Sequence, residues 1–174
     1  MADTQPLIIF SHGKDGRPDG SKIKRLMVVA ASHGCRVESL DYRTIPNPDQ
    51  RADSLLQKLS NPPTPLVLVG SSMGAYISII ASQQIEPRGL FLLAPAIYLE
   101  GYKNQAPTPK AELTTIIHGW HDEVVPVASA LAFAQQHQTR LHVVDSDHRL
   151  LTAMPFIENI FALFLDELLN AQSW

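Results

Sequence analysis

Two kinds of hydrophobic pattern alternate along the chain. Short continuous apolar runs are separated by longer segments in which apolar residues recur every three or four positions. A short apolar run is typical of a strand that is buried on both faces, whereas the longer spacing is typical of an amphipathic helix. The runs predict six strands, at residues 7–10, 36–40, 65–69, 90–93, 113–117 and 141–144. The periodic segments predict five helices, at residues 21–33, 49–59, 73–84, 126–137 and 152–169.

The regular alternation of strands and helices predicts the fold class. Strands that are apolar throughout and are joined through helices form a parallel sheet, and right-handed crossovers place the helices on both of its faces. We therefore expect a three-layer α/β/α sandwich that forms a single domain over residues 1–174. One irregular stretch, at 94–110, contains three prolines and is expected to be a small cap or a loop over a site.

Composition narrows the class of protein. A chain of 174 residues can bury the core of one domain, and its net charge of −3 gives no reason to expect a nucleic-acid partner. A single cysteine, Cys35, excludes an internal disulfide bond and a multi-cysteine zinc site. The first residues lack the pattern of a signal peptide, and no apolar stretch approaches the length of a membrane span. We expect a cytoplasmic protein.

The most informative motif is the G-x-S-x-G at residues 70–74. It lies between a predicted strand and a predicted helix, where a sharp turn would expose the hydroxyl of Ser72 above the edge of the sheet. Glycine two positions before and after the serine leaves room for such a turn. Ser72 is therefore the candidate nucleophile. The alternative is that it serves only as a helix N-cap.

Two further loops carry residue types that activate a serine. Asp122 follows the fifth predicted strand and His148 follows the sixth, so both are expected at the same sheet edge as Ser72. A histidine can accept the serine proton, and a carboxylate can orient the histidine. The alternative is that Asp122 caps a helix or makes only a turn, with Glu123 or Asp147 as the acid instead.

These motifs resemble those of the α/β hydrolases, in particular small bacterial esterases, thioesterases and dienelactone-hydrolase-like proteins. The resemblance spans nearly the whole chain. It is carried by the motifs at 11–13, 70–74, 118–126 and 147–150. It implies a triad of Ser72, Asp122 and His148, with Asp122 favoured over Glu123 because of the Val-Pro that follows. It also implies an oxyanion hole formed by the backbone N–H groups of Met73 and Lys14.

The chain departs from the family pattern in two ways. The first antiparallel hairpin of the family is missing, so the sheet is expected to contain six parallel strands in the order 2-1-3-4-5-6. A large cap domain is also missing, which implies an open site beneath residues 94–110.

Several polar and aromatic residues have two interpretations. His118 and His121 flank the acid loop, but they lie on a turn and not on one helix face, so no metal is expected. Tyr98 and Trp120 are candidates for lining the substrate pocket, and Tyr98 might instead pack on its rim. The charged stretch is either a solvated surface or an electropositive rim for anionic substrates such as acyl-CoA or a carboxylate ester. Its members are Lys14, Asp15, Arg17, Lys22, Lys24 and Arg25.

The sequence therefore favours a serine hydrolase that cleaves a small-molecule ester or thioester through an acyl-enzyme, with no cofactor, as a monomer or homodimer. A small peptidase would use the same triad. A binding or scaffold protein would keep the fold without catalysis. A flavin or nucleotide binder would need a phosphate-cradling loop after the first strand, and the loop at 11–16 is too poor in Gly, Ser and Thr to be one.

Overall fold

The computed structural model describes residues 5–62 and 65–170. In this part of the chain, strands and helices alternate as the hydrophobic pattern predicts, except that β4 and β5 are joined by the irregular segment 94–110. The strands are β1 Leu7–Ser11, β2 Arg36–Leu40, β3 Leu66–Ser71, β4 Gly89–Leu93, β5 Leu113–Gly119 and β6 Arg140–Val144. The helices are α1 Ser21–Ser32, α2 Pro48–Lys58, α3 Met73–Ile85, α4 Val127–His137 and α5 Met154–Asn170.

The six strands form one sheet in the order β2-β1-β3-β4-β5-β6, and all neighbours are parallel. The α/β sandwich and the strand order predicted from the sequence are therefore confirmed. The direction in which successive strands are added to the sheet reverses between β1 and β3. Open parallel sheets bind ligands at the carboxyl ends of the two strands that flank such a point.

Alternate residues of the central strands supply two hydrophobic cores, one on each face. Ile9 and Leu68 lie in the core formed with α2, α3 and α4. Ile8 and Val67, their chain neighbours, lie in the core formed with α1 and α5. Because both faces are covered, these strands are apolar at every position before their carboxyl ends, as the sequence pattern indicates.

Three of the observed strands, β1, β3 and β5, extend further at their carboxyl ends than the hydrophobic pattern predicts. β3 continues through Gly70 and Ser71, which pair with Leu92 and Leu93 of β4, and β5 continues to Gly119. These residues carry small or polar side chains, so hydrophobicity alone does not mark them as strand. The site motifs therefore begin inside the sheet, which holds their backbone rigidly.

Helix boundaries differ from the predicted ones by two residues or fewer. Asn47 caps α2 by accepting bonds from the N–H groups of Asp49 and Gln50, at 2.8 and 3.1 Å. Pro126 is the N-cap of α4, one position outside the helix and not in its first turn. Gly34, with φ of 73°, follows α1 as predicted.

No helix of the described residues is long and apolar enough to cross a membrane. The segment 94–110, predicted to be a cap or loop, has no regular secondary structure. It is attached to α3 by bonds from Asn104 N–H to the Tyr76 hydroxyl (3.3 Å) and from Lys110 N–H to the Ser82 hydroxyl (3.0 Å).

Candidate active site

Ser72 lies on a strained turn between β3 and α3. Its φ of 55° and ψ of −115° place a non-glycine residue in a rarely populated region of backbone space. Bonds from Ser72 N–H to the carbonyl of Leu93 (2.9 Å) and from Ala96 N–H to the carbonyl of Ser72 (3.2 Å) hold this conformation. The turn therefore presents the serine hydroxyl at the carboxyl edge of the sheet.

The two glycines of the motif are required by close backbone approach. A Cβ added at Gly70 would lie 2.3 Å from the carbonyl oxygen of Gly74. A Cβ added at Gly74 would lie 1.9 Å from the carbonyl oxygen of Ser11 at the end of β1. The turn can pack against β1 only because both side chains are absent.

Ser72, His148 and Asp122 form a continuous hydrogen-bonded chain. The Ser72 Oγ lies 3.0 Å from His148 Nε2, and His148 Nδ1 lies 2.7 Å from Asp122 Oδ2. The other carboxylate oxygen of Asp122 accepts bonds from the N–H groups of Val124 and Val125, at 2.9 and 2.8 Å. The acid is thus fixed in orientation, and the structure brings the three predicted residues together as a triad would require.

The two alternative acids are placed elsewhere. The Asp147 carboxylate accepts a bond from Arg149 N–H at 2.9 Å, which stabilises its own turn. Glu123 is exposed, whereas the Asp122 side chain is fully buried. Asp122 also accepts backbone bonds within its own turn. The turn role and the contact with His148 are therefore both present and do not exclude each other.

His118, which flanks the acid loop in the sequence, is buried against the acid. Its buried Nε2 lies 2.9 Å from the carbonyl of Val125 and 3.3 Å from Asp122 Oδ2. His121, considered with it as a metal ligand, is instead exposed and lies 2.8 Å from Asp145. The two histidines therefore have different partners and do not share a site. Burial lowers the pKa of His118, so its imidazole is neutral near pH 7.

The lowered pKa of His118 predicts a loss of stability in acid. Because the folded state holds this pKa below the unfolded value near 6.5, the unfolded chain takes up the proton first as pH falls. The contribution is fully present above about pH 6.5 and is lost below it, with a limiting slope of about 1.4 kcal/mol per pH unit. Urea unfolding of the wild type and of His118→Gln should show the shallower acid slope in the variant. Equal slopes in the two proteins would contradict the assignment.

Of the two predicted oxyanion donors, Met73 directly follows Ser72 and Lys14 lines the same cleft. Met73 is the first residue of α3, so helix geometry leaves its N–H without an intrahelical acceptor. Lys14 lies in the loop after β1, and a Cβ built on the preceding Gly13 would lie 3.4 Å from Ser72 Cβ. The loop therefore contacts the nucleophile.

His12 fixes the start of this loop. Its Nε2 accepts a bond from Tyr42 N–H at 3.0 Å, and its Nδ1 lies 2.7 Å from the carbonyl of Gly13. The bond from Tyr42 requires the proton to lie on Nδ1, which then donates to Gly13. His12 thus shapes the turn, as its position beside the glycine suggests.

Arg51 is a second residue that hydrophobic pattern analysis overlooks. It lies on α2, is 2% exposed, and donates to the carbonyl oxygens of Ile45, Gly13 and Lys14, the last two at 3.3 Å. The C=O and N–H groups of one peptide point in opposite directions. By holding the carbonyl of Gly13, Arg51 therefore directs the N–H of Lys14 away from itself. Nothing in the local sequence marks Arg51 as a contact of this loop, because Gly13 and Lys14 are 38 and 37 residues away.

A cleft of about 580 Å³ opens above Ser72 and His148. Its walls come from the loop after β1, the first turn of α1, the segment 94–110 and the loops after β5 and β6. Its apolar lining comprises Ile23, Ala96, Leu99, Tyr102, Val124 and Leu151.

Neither aromatic residue predicted to line the pocket does so. The Tyr98 hydroxyl lies 3.0 Å from Gln136 of α4, and its ring packs near Phe133, so it faces away from Ser72. Trp120 is 55% exposed and is not part of the cleft lining. Tyr102 supplies the aromatic wall instead, because the segment 94–110 doubles back through a bond from Tyr98 N–H to the carbonyl of Gln105 (2.9 Å).

Comparison with solved structures identifies the family. A protein from Xanthomonas campestris pv. campestris, described as a hydrolase of the α/β superfamily, is 31% identical, with a TM-score of 0.85. The alignment covers 92% of this chain and 98% of that protein. The chain belongs to the α/β-hydrolase superfamily. No protein-family model and no curated protein sequence matches it.

More distant α/β hydrolases share the fold. Est1E from Butyrivibrio proteoclasticus is 17% identical, with a TM-score of 0.80 over 97% of this chain and 90% of that one. A serine hydrolase without a lid from Xanthomonas campestris is 18% identical, with a TM-score of 0.76 over 95% and 84%. This α/β hydrolase is therefore of the kind that lacks a large cap.

Proposed function

We propose that this α/β hydrolase is a serine hydrolase that cleaves a carboxylic ester or thioester through an acyl-enzyme. The observation that carries the proposal is the hydrogen-bonded chain from Asp122 through His148 to Ser72, with Ser72 on a strained turn at the base of a cleft. Strain of this kind persists where the surrounding structure enforces it, and it is common at catalytic nucleophiles.

In the acylation step, Ser72 Oγ attacks the carbonyl carbon while His148 Nε2 takes the hydroxyl proton. The carbonyl π electrons move to oxygen, and we assign the N–H groups of Met73 and Lys14 as the donors that stabilise that oxyanion. When the tetrahedral intermediate collapses, the bond to the leaving group breaks and His148 returns the proton to the departing oxygen or sulfur.

In the deacylation step, water replaces the leaving group. His148 accepts a proton from the water, whose oxygen attacks the acyl carbon, and it then protonates Ser72 Oγ as the carboxylic acid departs. The Asp122 carboxylate accepts the hydrogen bond from His148 Nδ1–H throughout. The two bonds that Asp122 accepts from backbone N–H groups keep the carboxylate aligned. The reaction as proposed uses protein groups and water alone.

A fluorophosphonate probe tests the proposal, because it reacts with activated serines. Intact mass analysis of the wild type should give one adduct, which peptide mapping places on Ser72. The adduct should be absent from Ser72→Ala and retained in Ser32→Ala, in which an exposed serine at the end of α1 is removed. A folded wild-type protein that gives no adduct would contradict catalysis and favour a binding or scaffold role.

A further inference from the structure

The charged side chains around the cleft are mostly cationic. Four basic residues line it, whereas Asp15 is the only acidic residue of the lining. These basic residues are Lys14, Arg17, Lys22 and Arg149. The chain as a whole has a net charge of −3, so this concentration of positive charge is local to the cleft. Of the four, Arg17 is already paired with Asp19 at 3.0 Å.

Lys22 is the cation closest to the nucleophile turn. It lies in the first turn of α1, and its Nζ donates to the hydroxyl of Ser71 at 3.0 Å, one residue before Ser72. Within the described ranges, no carboxylate lies at ion-pair distance from Lys22, although its side chain is half-buried. The ammonium group has three donor protons, and Ser71 accepts one of them.

The groups that face Lys22 leave its charge largely uncompensated. Burial and the nearby Arg149 lower its pKa to about 8, against weaker opposing effects of Asp147 and Asp122. The first turn of α1 contains no acidic side chain, so the positive end of the helix dipole adds to the same field. A half-buried cation without a counter-ion is costly unless a ligand supplies the charge.

We propose that Lys22 binds a negative charge on the substrate, so that the substrate is an ester or thioester that also carries a carboxylate or phosphate group. Arg149, an exposed residue of the same cleft lining that lies near Lys22, supports the same charge. This inference rests on the proposed hydrolase function and specifies its substrate class.

Two pairs of substrates separate the effect of charge from that of shape. The first pair is the para-nitrophenyl ester of hexanoic acid and the para-nitrophenyl half ester of adipic acid, which differ by a carboxylate at the end of the acyl chain. The second pair is the acetate ester of 3-hydroxybenzoate and the acetate ester of its methyl ester, which differ by a carboxylate on the leaving group. The quantity measured is the ratio of kcat/KM for the anionic member to that for the neutral member.

The wild type should favour the anionic member of at least one pair. In Lys22→Met, that ratio should fall by about 10- to 100-fold, which is the effect of losing one charged hydrogen bond. Lys22→Arg should retain the preference. Lys24→Met is the matched control, because Lys24 is exposed on the same turn and does not line the cleft, and its ratio should equal that of the wild type.

The pH dependence gives a readout that a purely structural role would not produce. In the wild type, the ratio should decrease as pH rises through about 8, because Lys22 then loses its proton. In Lys22→Arg the ratio should stay high over the same range, because the guanidinium does not titrate there. This profile remains informative if Lys22→Met does not fold.

Two kinetic outcomes would overturn the proposal. One is a wild-type ratio near unity in both pairs. The other is an equal loss of kcat/KM for both members of each pair in Lys22→Met, which would make Lys22 a positioning residue for the turn through Ser71.

Binding of free adipate separates this proposal from the hydrolase proposal. If no ester is cleaved and Ser72 is not labelled, the hydrolase function fails, but calorimetry with adipate still reports on the anion site. Tighter binding to the wild type than to Lys22→Met would support that site. Equal binding to the two proteins would reject it.

Discussion

Ser72→Ala and His148→Ala are each expected to lower kcat for a carboxylic ester by about 10⁴- to 10⁶-fold, and the double variant by no more than either alone. The two side chains act as one unit, since the hydroxyl is a poor nucleophile without the imidazole 3.0 Å away. Steady-state kinetics of the three variants, with circular dichroism to verify folding, measures this non-additivity.

A second aspartate that contacts a histidine provides a control for substitution of Asp122. Asp122→Asn should lower kcat by about 10⁴-fold, because an amide favours the wrong tautomer of His148. Asp145→Asn disrupts a comparable histidine–aspartate contact of 2.8 Å, but that contact is exposed and outside the triad, so kcat should be retained. Independent, additive losses in Ser72→Ala and His148→Ala would contradict a shared mechanism, as would equal effects of the two aspartate variants.

Gly74→Ala is expected to lower the free energy of unfolding by about 3 kcal/mol or more. The added Cβ would lie 1.9 Å from the carbonyl oxygen of Ser11 and 2.8 Å from that of His12. Both contacts are with backbone, so relief requires α3 and β1 to separate, which also displaces the nucleophile turn. The variant should therefore lose reactivity towards the fluorophosphonate probe as well as stability.

Gly89→Ala is the matched comparison for this steric argument. Its added Cβ would lie 2.4 Å from Leu168 and 2.7 Å from Phe164, but these contacts are with the ends of side chains on α5. Side chains can shift where backbone cannot, so the loss of stability should be smaller. Chemical denaturation of both variants tests this order, and a Gly74→Ala protein as stable as Gly89→Ala would contradict it.

Local patterns in the sequence predicted the fold and the edge of the sheet at which the candidate site residues lie, for a physical reason. The central strands of a covered parallel sheet are mainly apolar, and all parallel strands end at the same edge, so both features are visible in short windows. The prediction that Ser72, Asp122 and His148 lie close together therefore required no measured distance.

The features that the sequence did not reveal depend on long-range packing. Arg51 contacts a loop about 37 residues earlier, and no window around it contains that information. The pocket assignment of Tyr98 and Trp120 was wrong because the side-chain directions depend on how the irregular segment 94–110 and the acid loop fold back. His118 was recognised as a histidine near the acid, but its burial was not predictable from the turn residues beside it.

The attachment of segment 94–110 has a consequence for changing specificity. Its start is bonded to the nucleophile through Ala96 N–H and the Ser72 carbonyl, and its end is bonded to α3 through Lys110. Between these anchors, Leu99 and Tyr102 line the cleft. Substitutions or length changes between the anchors should therefore reshape this wall of the cleft while the arrangement of Ser72, His148 and Asp122 is preserved, which makes this stretch the natural target for changing ligand preference by directed evolution.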